Sequence, residues 1–304
     1  MENQCLGLAE ALGLSPVVKR IVLRAPWKQL SPAILRIGNR WSLSAAGDRL
    51  TSPLPDILIA TGRQSVSSSL AVRDMSRGKT FRVQVQDPGI SPRHFDLVVV
   101  PRHDRLRGDN VVVTAGALHR VTPDILSNAG RHFADRLASL PHPRIAVLIG
   151  GSNGVYRLTP TIVESLAETL ARLAARHDAA LMVTASRRTG TENETILRTR
   201  LFGVAGEVWD GSGENPYFAY LAHADAIVVT ADSVNMVCEA CSTGKPVYVV
   251  QLDGGSAKFQ RFHQGMRADG RTRPFDGRLD QWTYPPLDDT RRVAEVIRDR
   301  LQYL

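Results

Sequence analysis

The sequence predicts an α/β chain built from two units, each with a parallel sheet covered by helices. Short apolar runs of strand length recur along the chain, and Arg144–Gly150, with the sequence RIAVLIG, is an example. Uninterrupted runs of this kind are typical of parallel strands that are buried on both faces. Segments with helical periodicity separate these runs, and such an alternation favours a doubly wound sheet. With 304 residues, the chain is long enough for two domains.

The C-terminal half shows the alternation most clearly. Thr159 and Pro160 are expected to begin a long amphipathic helix, as its N-cap and first residue. Thr191 and Glu194 have the spacing of a capping box, which predicts a helix that ends near Gly203. The other predicted elements are strands at Ala179–Ala185, Glu207–Asp210, Asp225–Thr230 and Pro246–Gln251, and helices at Pro216–Ala222 and Val234–Cys241.

The N-terminal half alternates less regularly. Helical patterns cover Leu6–Leu14 and Val66–Arg77, and a last amphipathic helix is predicted over Thr290–Leu304. The strand candidates are Arg20–Arg24, Asp56–Ala60, Phe81–Val85, Leu97–Pro101 and Val111–Thr114. We therefore expect an N-terminal domain over residues 1–130, a C-terminal domain over residues 131–285 and a C-terminal helix over residues 286–304.

The composition is that of an ordinary globular protein. Hydrophobic residues make up 43% of the chain and charged residues 22%, which is close to the average. No apolar run has the length of roughly 18–20 residues that a membrane-spanning helix needs. Three cysteines do not make a disulfide framework, and the N-terminus lacks the features of a secretory signal. We therefore expect a cytoplasmic protein, with peripheral contact at the inner membrane as a further option.

The formal net charge of +8 has two explanations, and both remain open. An arginine-rich composition accounts for it without any function. An anionic partner, such as a nucleotide diphosphate or an acidic membrane surface, accounts for it equally well. No zinc finger, RNA-binding signature or basic patch interleaved with aromatic residues accompanies the charge, so nucleic acid is not an expected partner.

Ligands of open α/β sheets bind outside the carboxyl ends of the strands, which directs attention to four loops of the C-terminal half. The first loop is Gly150–Gly154, with the sequence GGSNG. Glycines such as Gly151 let the backbone approach a ligand, and Ser152 and Asn153 can donate hydrogen bonds to phosphate or sugar. The spacing of a dinucleotide fingerprint is absent, and an ordinary tight turn is the alternative.

The second loop, Thr184–Gly190, places two adjacent arginines after a buried strand. The guanidinium groups of Arg187 and Arg188 are well placed for phosphates, with Ser186 beside them as a hydroxyl donor. The alternative is that one or both arginines point into solvent.

The third loop, Val208–Tyr217, begins with an aromatic residue and is rich in glycine. Trp209 and the neighbouring Asp210 suit a nucleobase at the end of a strand. The alternative is that the indole of Trp209 covers the core, and Asn215 before Pro216 is a plausible helix cap.

The fourth loop leads from the strand DAIVVT into a helix. Helix N-termini attract anions through their free N–H groups and the helix dipole. Ser233 can cap the helix or donate to a phosphate, and Asn235 lies in the first turn. Glu239 can accept hydrogen bonds from ribose hydroxyls, although a helical glutamate is more commonly exposed.

Two motifs near this loop resemble functional sites without their context. The sequence STGK follows a helix and precedes a strand, which is the reverse of a P-loop, and Gly244 is better explained as a helix C-cap before Pro246. Cys238 and Cys241 have no second Cys/His pair at metal-ligand spacing, so we expect small packing residues and no metal site.

Two residues of the N-terminal half are weak candidates for a general base. Asp87, in VQDPGI, and His103, in PRHDR, each follow a predicted strand. A base must lie near the hydroxyl that it deprotonates, and residues at strand ends meet this condition. A turn residue or a surface charge is the favoured alternative for both.

Several segments together resemble one family. They are ENQCLGLAEALG, VVPRHDRLRGDNVVVTAGALHRVTP, GGSNGVYRL, TASRRTG, VWDGSGENPY and TADSVNMVCEACSTGKPVYVV. Over essentially the whole chain, they look like the bacterial ELM1-type family of proposed glycosyltransferases, also described as mitochondrial fission ELM1-like proteins. The resemblance implies a GT-B-like fold, in which two Rossmann-like domains have parallel sheets facing a cleft. It also implies an N-terminal acceptor domain and a C-terminal nucleotide-sugar domain.

The sequence departs from the family at its start. Family members usually begin with an apolar strand and a D-G-x-x-G-H-like turn before E-N-Q, whereas this chain starts at Met1-Glu2-Asn3-Gln4. The resemblance therefore implies that the N-terminal sheet lacks its first strand and that part of the acceptor site is missing.

The leading functional hypothesis is a metal-independent glycosyltransferase that uses a nucleotide-activated sugar. No cofactor is expected, because the nucleotide sugar is the substrate, and the acceptor is expected to be an envelope lipid or glycan. The alternatives are a non-catalytic adaptor with the GT-B scaffold at an anionic membrane surface, and a sugar-nucleotide epimerase.

Overall fold

The structure is a computed structural model that describes residues 1–25 and 46–302. It divides into two compact units: the N-terminal unit comprises Met1–Arg120 and Asp288–Leu304, and the C-terminal unit comprises Val121–Leu287. This division differs from the predicted segments, since the chain enters the C-terminal unit directly after Arg120 and the last helix belongs to the N-terminal unit.

The N-terminal unit begins with a helix and contains a four-stranded parallel sheet in the order β1-β2-β3-β4. Its elements are α1 (Glu2–Ala11), β1 (Ile57–Thr61), α2 (Ser65–Met75), β2 (Phe81–Val85), β3 (Leu97–Pro101) and β4 (Val111–Thr114). The predicted strand at Arg20–Arg24 is wrong, because Leu23 alone in that stretch makes a bridge. The first helix begins four residues before the predicted Leu6, at Glu2.

The C-terminal unit contains a six-stranded sheet in the order β12-β10-β9-β5-β7-β8, with every neighbouring pair parallel. Its elements are α3 (Pro123–His132), α4 (Ala134–Leu137), β5 (Arg144–Ile149), β6 (Tyr156–Arg157), α5 (Pro160–His177), β7 (Ala180–Ala185), α6 (Thr191–Arg200), β8 (Gly206–Val208), α7 (Tyr217–His223), β9 (Ala226–Thr230), α8 (Val234–Cys241), β10 (Val247–Val250), β11 (Asp253–Gly254), α9 (Ala257–Ala268) and β12 (Thr272–Pro274). The five predicted strands of this unit are confirmed.

The C-terminal unit differs from the prediction in several additional elements and in one helix cap. None of the elements α3, α4, β6, β11, α9 and β12 is predicted from the sequence. The predicted capping box at Thr191 is wrong: Gly190, with a φ of 83°, occupies the cap position, and no side chain caps α6. By contrast, the hydroxyl of Thr159 caps α5 as predicted by accepting from the N–H of Ile162 at 3.4 Å.

The last helix, α10 (Asp289–Gln302), packs against the N-terminal unit. Alternation along β2 and β3 directs Val83, Val85, Leu97 and Val99 to the face covered by α1 and α10, where Val293 and Ile297 are buried. The opposite face is covered by α2. The predicted apolar side of this helix is therefore confirmed, while the last two residues of the predicted span lie outside the described residues. Within the described residues, no helix combines the length and the apolar character needed to cross a membrane.

Candidate functional site

The loops after β5, β7 and β9 meet at the carboxyl edge of the six-stranded sheet. These three strands are adjacent, with β5 in the centre, and they run parallel. Consequently, three of the four loops selected from the sequence are neighbours in the fold.

A buried carboxylate, that of Asp232, joins these three loops. Asp232 is 3% exposed. It accepts hydrogen bonds from the N–H of Gly151 at 3.0 Å and from the hydroxyl of Thr230 at 2.6 Å. It also forms an ion pair with Arg188 at 2.7 Å. One side chain therefore holds the ends of β5, β7 and β9 together.

The two glycines after β5 are required by this packing. A Cβ atom at Gly150 would overlap the carboxylate of Asp232, and a Cβ atom at Gly151 would overlap the backbone carbonyl of Arg188. Both glycines are therefore required by contacts with the neighbouring loops, and the predicted approach of this backbone to a ligand stays a prediction.

Hydroxyl groups add a second connection between the loops. The hydroxyls of Ser186 and Thr189 both donate to the carbonyl of Gly150, at 2.8 and 2.5 Å. The hydroxyl oxygen of Ser152 accepts from the N–H of Leu158 at 3.0 Å, and Asn153 donates to the carbonyl of Asp232 at 3.2 Å. Several predicted ligand residues therefore also shape the loops.

The two adjacent arginines differ in their surroundings. Arg188 is held by Asp232, although 41% of its side chain remains exposed. Arg187 is exposed, and within the described part of the chain its side chain makes no hydrogen bond or ion pair. Arg187 is thus the arginine of this loop that is available for an anion.

The helix α8 begins at the same edge of the sheet. The hydroxyl of Ser233 caps it by accepting from the N–H of Met236 at 3.4 Å, so the predicted capping role is confirmed. Asn235 lies half-buried in the first turn. The amino end of α8 and the arginine loop are brought together by the contact between Asp232 and Arg188.

The helix α8 also buries Glu239, which contradicts the exposed alternative. Glu239 is 7% exposed and accepts a hydrogen bond from the hydroxyl of Tyr217 at 2.6 Å. Burial raises the pKa of Glu239 to about 7, and the hydrogen bond from Tyr217 opposes this rise. The contact joins α8 to the start of α7, directly after the loop that follows β8.

That loop contains Trp209 and Asp210. The indole N–H of Trp209 donates to the carbonyl of Ser212 at 2.8 Å, and the ring is half-buried. The exposed carboxylate of Asp210 accepts from the hydroxyl and the N–H of Ser212 at 2.6 and 2.8 Å, and these bonds lower the pKa of Asp210. The polar groups of both residues thus hold their own turn.

The sequence comparisons identify the family. The profile of the family described as Mitochondrial fission ELM1 matches residues 1–301. This chain belongs to the mitochondrial fission ELM1 family. The Mitochondrial fission protein ELM1 of Arabidopsis thaliana is 34% identical over 278 residues, which cover 81% of this chain but only 64% of the plant protein. The uncharacterized protein RP120 of Rickettsia prowazekii is 24% identical over 286 residues, which cover 82% of this chain and 80% of the relative.

Solved structures show the fold that this ELM1-family chain adopts. The UDP-GlcNAc 2-epimerase from Methanocaldococcus jannaschii has a TM-score of 0.56 at 12% identity, with 97% of this chain and 88% of the epimerase covered. A structure of the epimerase from the same organism, in complex with UDP-GlcNAc and UDP, has a TM-score of 0.51 at 13% identity, with 82% and 76% covered. The predicted α/β fold of the GT-B type is confirmed, and identities this low show the fold alone.

In this ELM1-family chain, the two candidate bases lie in the N-terminal unit. Asp87 is exposed, and its carboxylate accepts from the N–H of Gly89 at 2.8 Å, as in an Asx turn. His103 is 4% exposed and follows β3. The turn role favoured for Asp87 is present, while the surface-charge alternative is wrong for His103, which is buried.

The cysteine pair of α8 and the STGK sequence that follows it make structural contacts in this family member. Cys238 and Cys241 are fully buried on α8. Lys245 donates to the carbonyls of Leu221 and Ala222 at the end of α7, at 2.8 and 2.6 Å, and burial lowers its pKa to about 8. Among the described residues, no cluster of three or more His, Cys, Asp or Glu side chains is placed to hold a metal ion.

Sequence reasoning missed the contribution of α9 to this edge of the sheet. His263 donates from Nε2 to the carbonyl of Ala231, beside Asp232, at 2.9 Å, and burial lowers its pKa. The ring of Phe259 packs edge-on against Tyr156 at 5.0 Å. Ser256, which caps α9 by accepting from the N–H of Phe259 at 3.4 Å, is the sequence signal that indicates this helix.

Proposed function

We propose that this protein is a metal-independent glycosyltransferase and that its C-terminal unit binds a nucleotide-activated sugar. The contact between Arg188 and Asp232 is the observation that carries this proposal, because it brings the arginine loop to the amino end of α8. An exposed arginine next to a helix N-terminus suits a diphosphate, since both attract negative charge.

In this proposal, residues of the four loops contact different parts of the nucleotide sugar. Arg187 and the first turn of α8 bind the diphosphate, with the loop containing Gly151, Ser152 and Asn153 alongside. Trp209 and Asp210 border the nucleobase. Glu239 accepts from a ribose hydroxyl, and Tyr217 orients its carboxylate through the existing hydrogen bond.

The proposed chemistry needs positive potential at the leaving group. A hydroxyl of the acceptor forms a bond to the anomeric carbon as the bond from that carbon to the diphosphate oxygen breaks. The electrons of the broken bond leave with the diphosphate, whose charge Arg187 stabilises, and the proton of the hydroxyl passes to a base. Asp87 and His103 remain the candidates for that base, and an envelope lipid or glycan is the proposed acceptor class.

The proposed site is tested by thermal shift and calorimetry with UDP, GDP and their sugar conjugates. We expect at least one nucleotide to stabilise the protein. Arg187→Ala should weaken binding roughly tenfold or more, because a charge-assisted hydrogen bond is worth about 1.5–3 kcal/mol. Arg176→Ala is the matched control, since Arg176 is exposed in the last turn of α5, at the opposite edge of the sheet. If no nucleotide binds, the proposal is wrong and the adaptor alternative gains support.

A sugar-nucleotide epimerase is the second candidate. It rests on an analogy of fold with the UDP-GlcNAc 2-epimerases, which have TM-scores of 0.56 and 0.51. The two activities differ in their products. If incubation with a nucleotide sugar and no acceptor gives the epimer, transfer is not the main activity. If the nucleotide diphosphate is released only when an acceptor is added, the epimerase candidate is rejected.

A further inference from the structure

Tyr156 is a buried tyrosine whose hydroxyl is not used by the fold. Its side chain is 4% exposed, and within the described part of the chain its hydroxyl makes no hydrogen bond. Every other tyrosine that the structure describes donates its hydroxyl to a protein group, and the acceptors belong to Glu239, Glu207, Asp280 and Lys245. The enclosed side-chain oxygens that lack a partner all belong to other described residues, so the hydroxyl of Tyr156 reaches the surface. It is therefore the part of this side chain that a ligand can contact.

The rest of Tyr156 is held firmly by its neighbours. Its backbone lies in β6, which pairs with β11 so that Tyr156 is opposite Gly254. The N–H of Gly255 donates to the carbonyl of Val155 at 2.6 Å, next to this pair. The ring packs edge-on against Phe259 of α9 at 5.0 Å. A hydroxyl on a fixed ring is preorganised for binding, because no protein contact must be broken before a ligand is bound.

The glycine beside the ring leaves room at the hydroxyl. Gly255 has a φ of 114°, a conformation that glycine adopts far more readily than any other residue. A Cβ atom at this position would lie 3.4 Å from the hydroxyl oxygen of Tyr156. The missing side chain of Gly255 therefore keeps one side of the hydroxyl open.

The order of the strands indicates which part of a nucleotide sugar would meet Tyr156. Along the carboxyl edge, the strands follow each other as β10, β9, β5, β7 and β8. The proposed nucleobase contacts follow β8, and the proposed diphosphate contacts follow β7 and β9. The pair formed by β6 and β11 joins the loops after β5 and β10, so it lies across β7 from the nucleobase contacts. The sugar, which follows the diphosphate in such a donor, remains for this part of the edge.

The charge of Asp232 keeps the hydroxyl of Tyr156 protonated. Burial raises the pKa of Tyr156, and the negative charge of Asp232 raises it further. This influence also shows that the tyrosine lies close to the carboxylate that joins the loops of the site. A protonated phenol donates one hydrogen bond and accepts others, which matches the hydroxyl groups of a sugar.

We propose that the hydroxyl of Tyr156 binds a hydroxyl group of the sugar in the nucleotide donor, an assignment that rests on the proposed binding of a nucleotide sugar. The nucleoside and the diphosphate are bound by other groups of the C-terminal unit. The contact with Tyr156 therefore favours a nucleotide sugar over the free nucleoside diphosphate. Tyr156 determines specificity for the sugar and leaves the affinity for the nucleotide to the arginine loop and α8.

Calorimetry with two pairs of probes tests this contact: UDP with UDP-GlcNAc, and GDP with GDP-mannose. For the pair that binds the wild type, Tyr156→Phe should weaken the nucleotide sugar about fivefold, the value of one ordinary hydrogen bond. Its affinity for the free diphosphate should change by less than roughly twofold. The midpoint of urea unfolding should stay unchanged, because the hydroxyl that is removed has no partner in the described chain.

Tyr248→Phe is the matched control. Tyr248 is 2% exposed in the same sheet, and its hydroxyl donates to the carbonyl of Asp280 at 3.1 Å. This variant should unfold at a lower urea concentration, because it loses a hydrogen bond, and it should keep the ratio of the two affinities.

The outcomes separate this contact from the proposed function. If neither pair of probes binds the wild type, the proposed function and the contact both fail. If the wild type binds and Tyr156→Phe leaves both affinities unchanged, the contact is rejected while the proposed function stands. An equal weakening of the diphosphate and the nucleotide sugar would also reject it, because the hydroxyl would then bind the diphosphate.

Discussion

Acidic residues at the carboxyl edges of the two sheets differ in the partners that they bind. In the C-terminal unit, Asp232 binds groups from three separate loops, and Glu239 joins α8 to the start of α7. In the N-terminal unit, Asp87 accepts from Gly89, two residues away, and holds its own turn. A carboxylate that connects distant segments fixes the relative position of several loops, whereas one that caps a turn fixes only that turn.

This difference suggests where a preorganised site exists. Groups that bind a developing charge are effective when they are held in place before the ligand arrives. The loops around Asp232 meet this condition, because backbone, hydroxyl and guanidinium groups all contact the same buried carboxylate. Substitutions at both edges test this contrast.

Gly151→Ala should destabilise the protein most. The added Cβ would overlap the backbone carbonyl of Arg188, which cannot move without separating the loops after β5 and β7. We expect a loss of about 3 kcal/mol or more in the free energy of unfolding, measured with urea. Gly154→Ala, where a Cβ meets no atom within 4 Å, should stay within about 0.5 kcal/mol. Similar effects of the two substitutions would contradict the close packing of the loops.

Glu239→Gln should alter the pH dependence of stability. Burial raises the folded pKa of Glu239 to about 7, above its ordinary value of 4.5, so the folded protein binds this proton more tightly than the unfolded chain. The wild type should therefore lose stability as the pH rises from about 5 to 7, by roughly 2–3 kcal/mol from this residue. Glu239→Gln should remove that loss, and the difference between the two proteins isolates it from other titrating groups.

Glu192→Gln is the control for this pH series, because Glu192 is exposed in the first turn of α6. Its unfolding free energy should follow the pH dependence of the wild type. A wild-type profile that is parallel to that of Glu239→Gln between pH 5 and 8 would contradict the burial of the carboxyl group.

Asp232→Asn should cost about 2 kcal/mol in the free energy of unfolding. The substitution removes the charge that Gly151, Thr230 and Arg188 share, and hydrogen bonds to a charged group are worth about 1.5–3 kcal/mol. We take a value in the lower part of this range because Arg188 is partly exposed, and solvent screens its ion pair. Asp210→Asn, at an exposed carboxylate, should change stability much less, and an equal cost would contradict the special role of Asp232.

Asp87→Ala should have the smallest effect on the free energy of unfolding, about 0.5–1 kcal/mol, because it removes the hydrogen bond that the carboxylate accepts from the N–H of Gly89. Asp87→Asn keeps an acceptor and should restore most of the stability. Neither substitution should change nucleotide affinity, because the proposed nucleotide contacts are made by residues of the C-terminal unit. A loss of nucleotide binding in either variant, measured by calorimetry, would remove the contrast between the two edges.

Much of the architecture follows from local patterns in the sequence. The apolar run RIAVLIG predicts β5, and Thr159 with Pro160 predicts the start of α5, because strand burial and helix capping depend on neighbouring residues. The same holds for Ser233, whose capping role was predicted and is present. The family also follows from the sequence, through segments distributed over the whole chain.

The partners of the polar side chains depend on the folded chain. Asp232 lies 44 residues from Arg188, and only the adjacency of β5, β7 and β9 brings the two together at 2.7 Å. The burial of Glu239 depends likewise on Tyr217, which is 22 residues away. Sequence patterns select the loops of the site because parallel strands share one carboxyl edge. Long-range packing leaves the side chain of Arg187 exposed, whereas those of Arg188 and Glu239 bind partners. No local sequence pattern determines this difference.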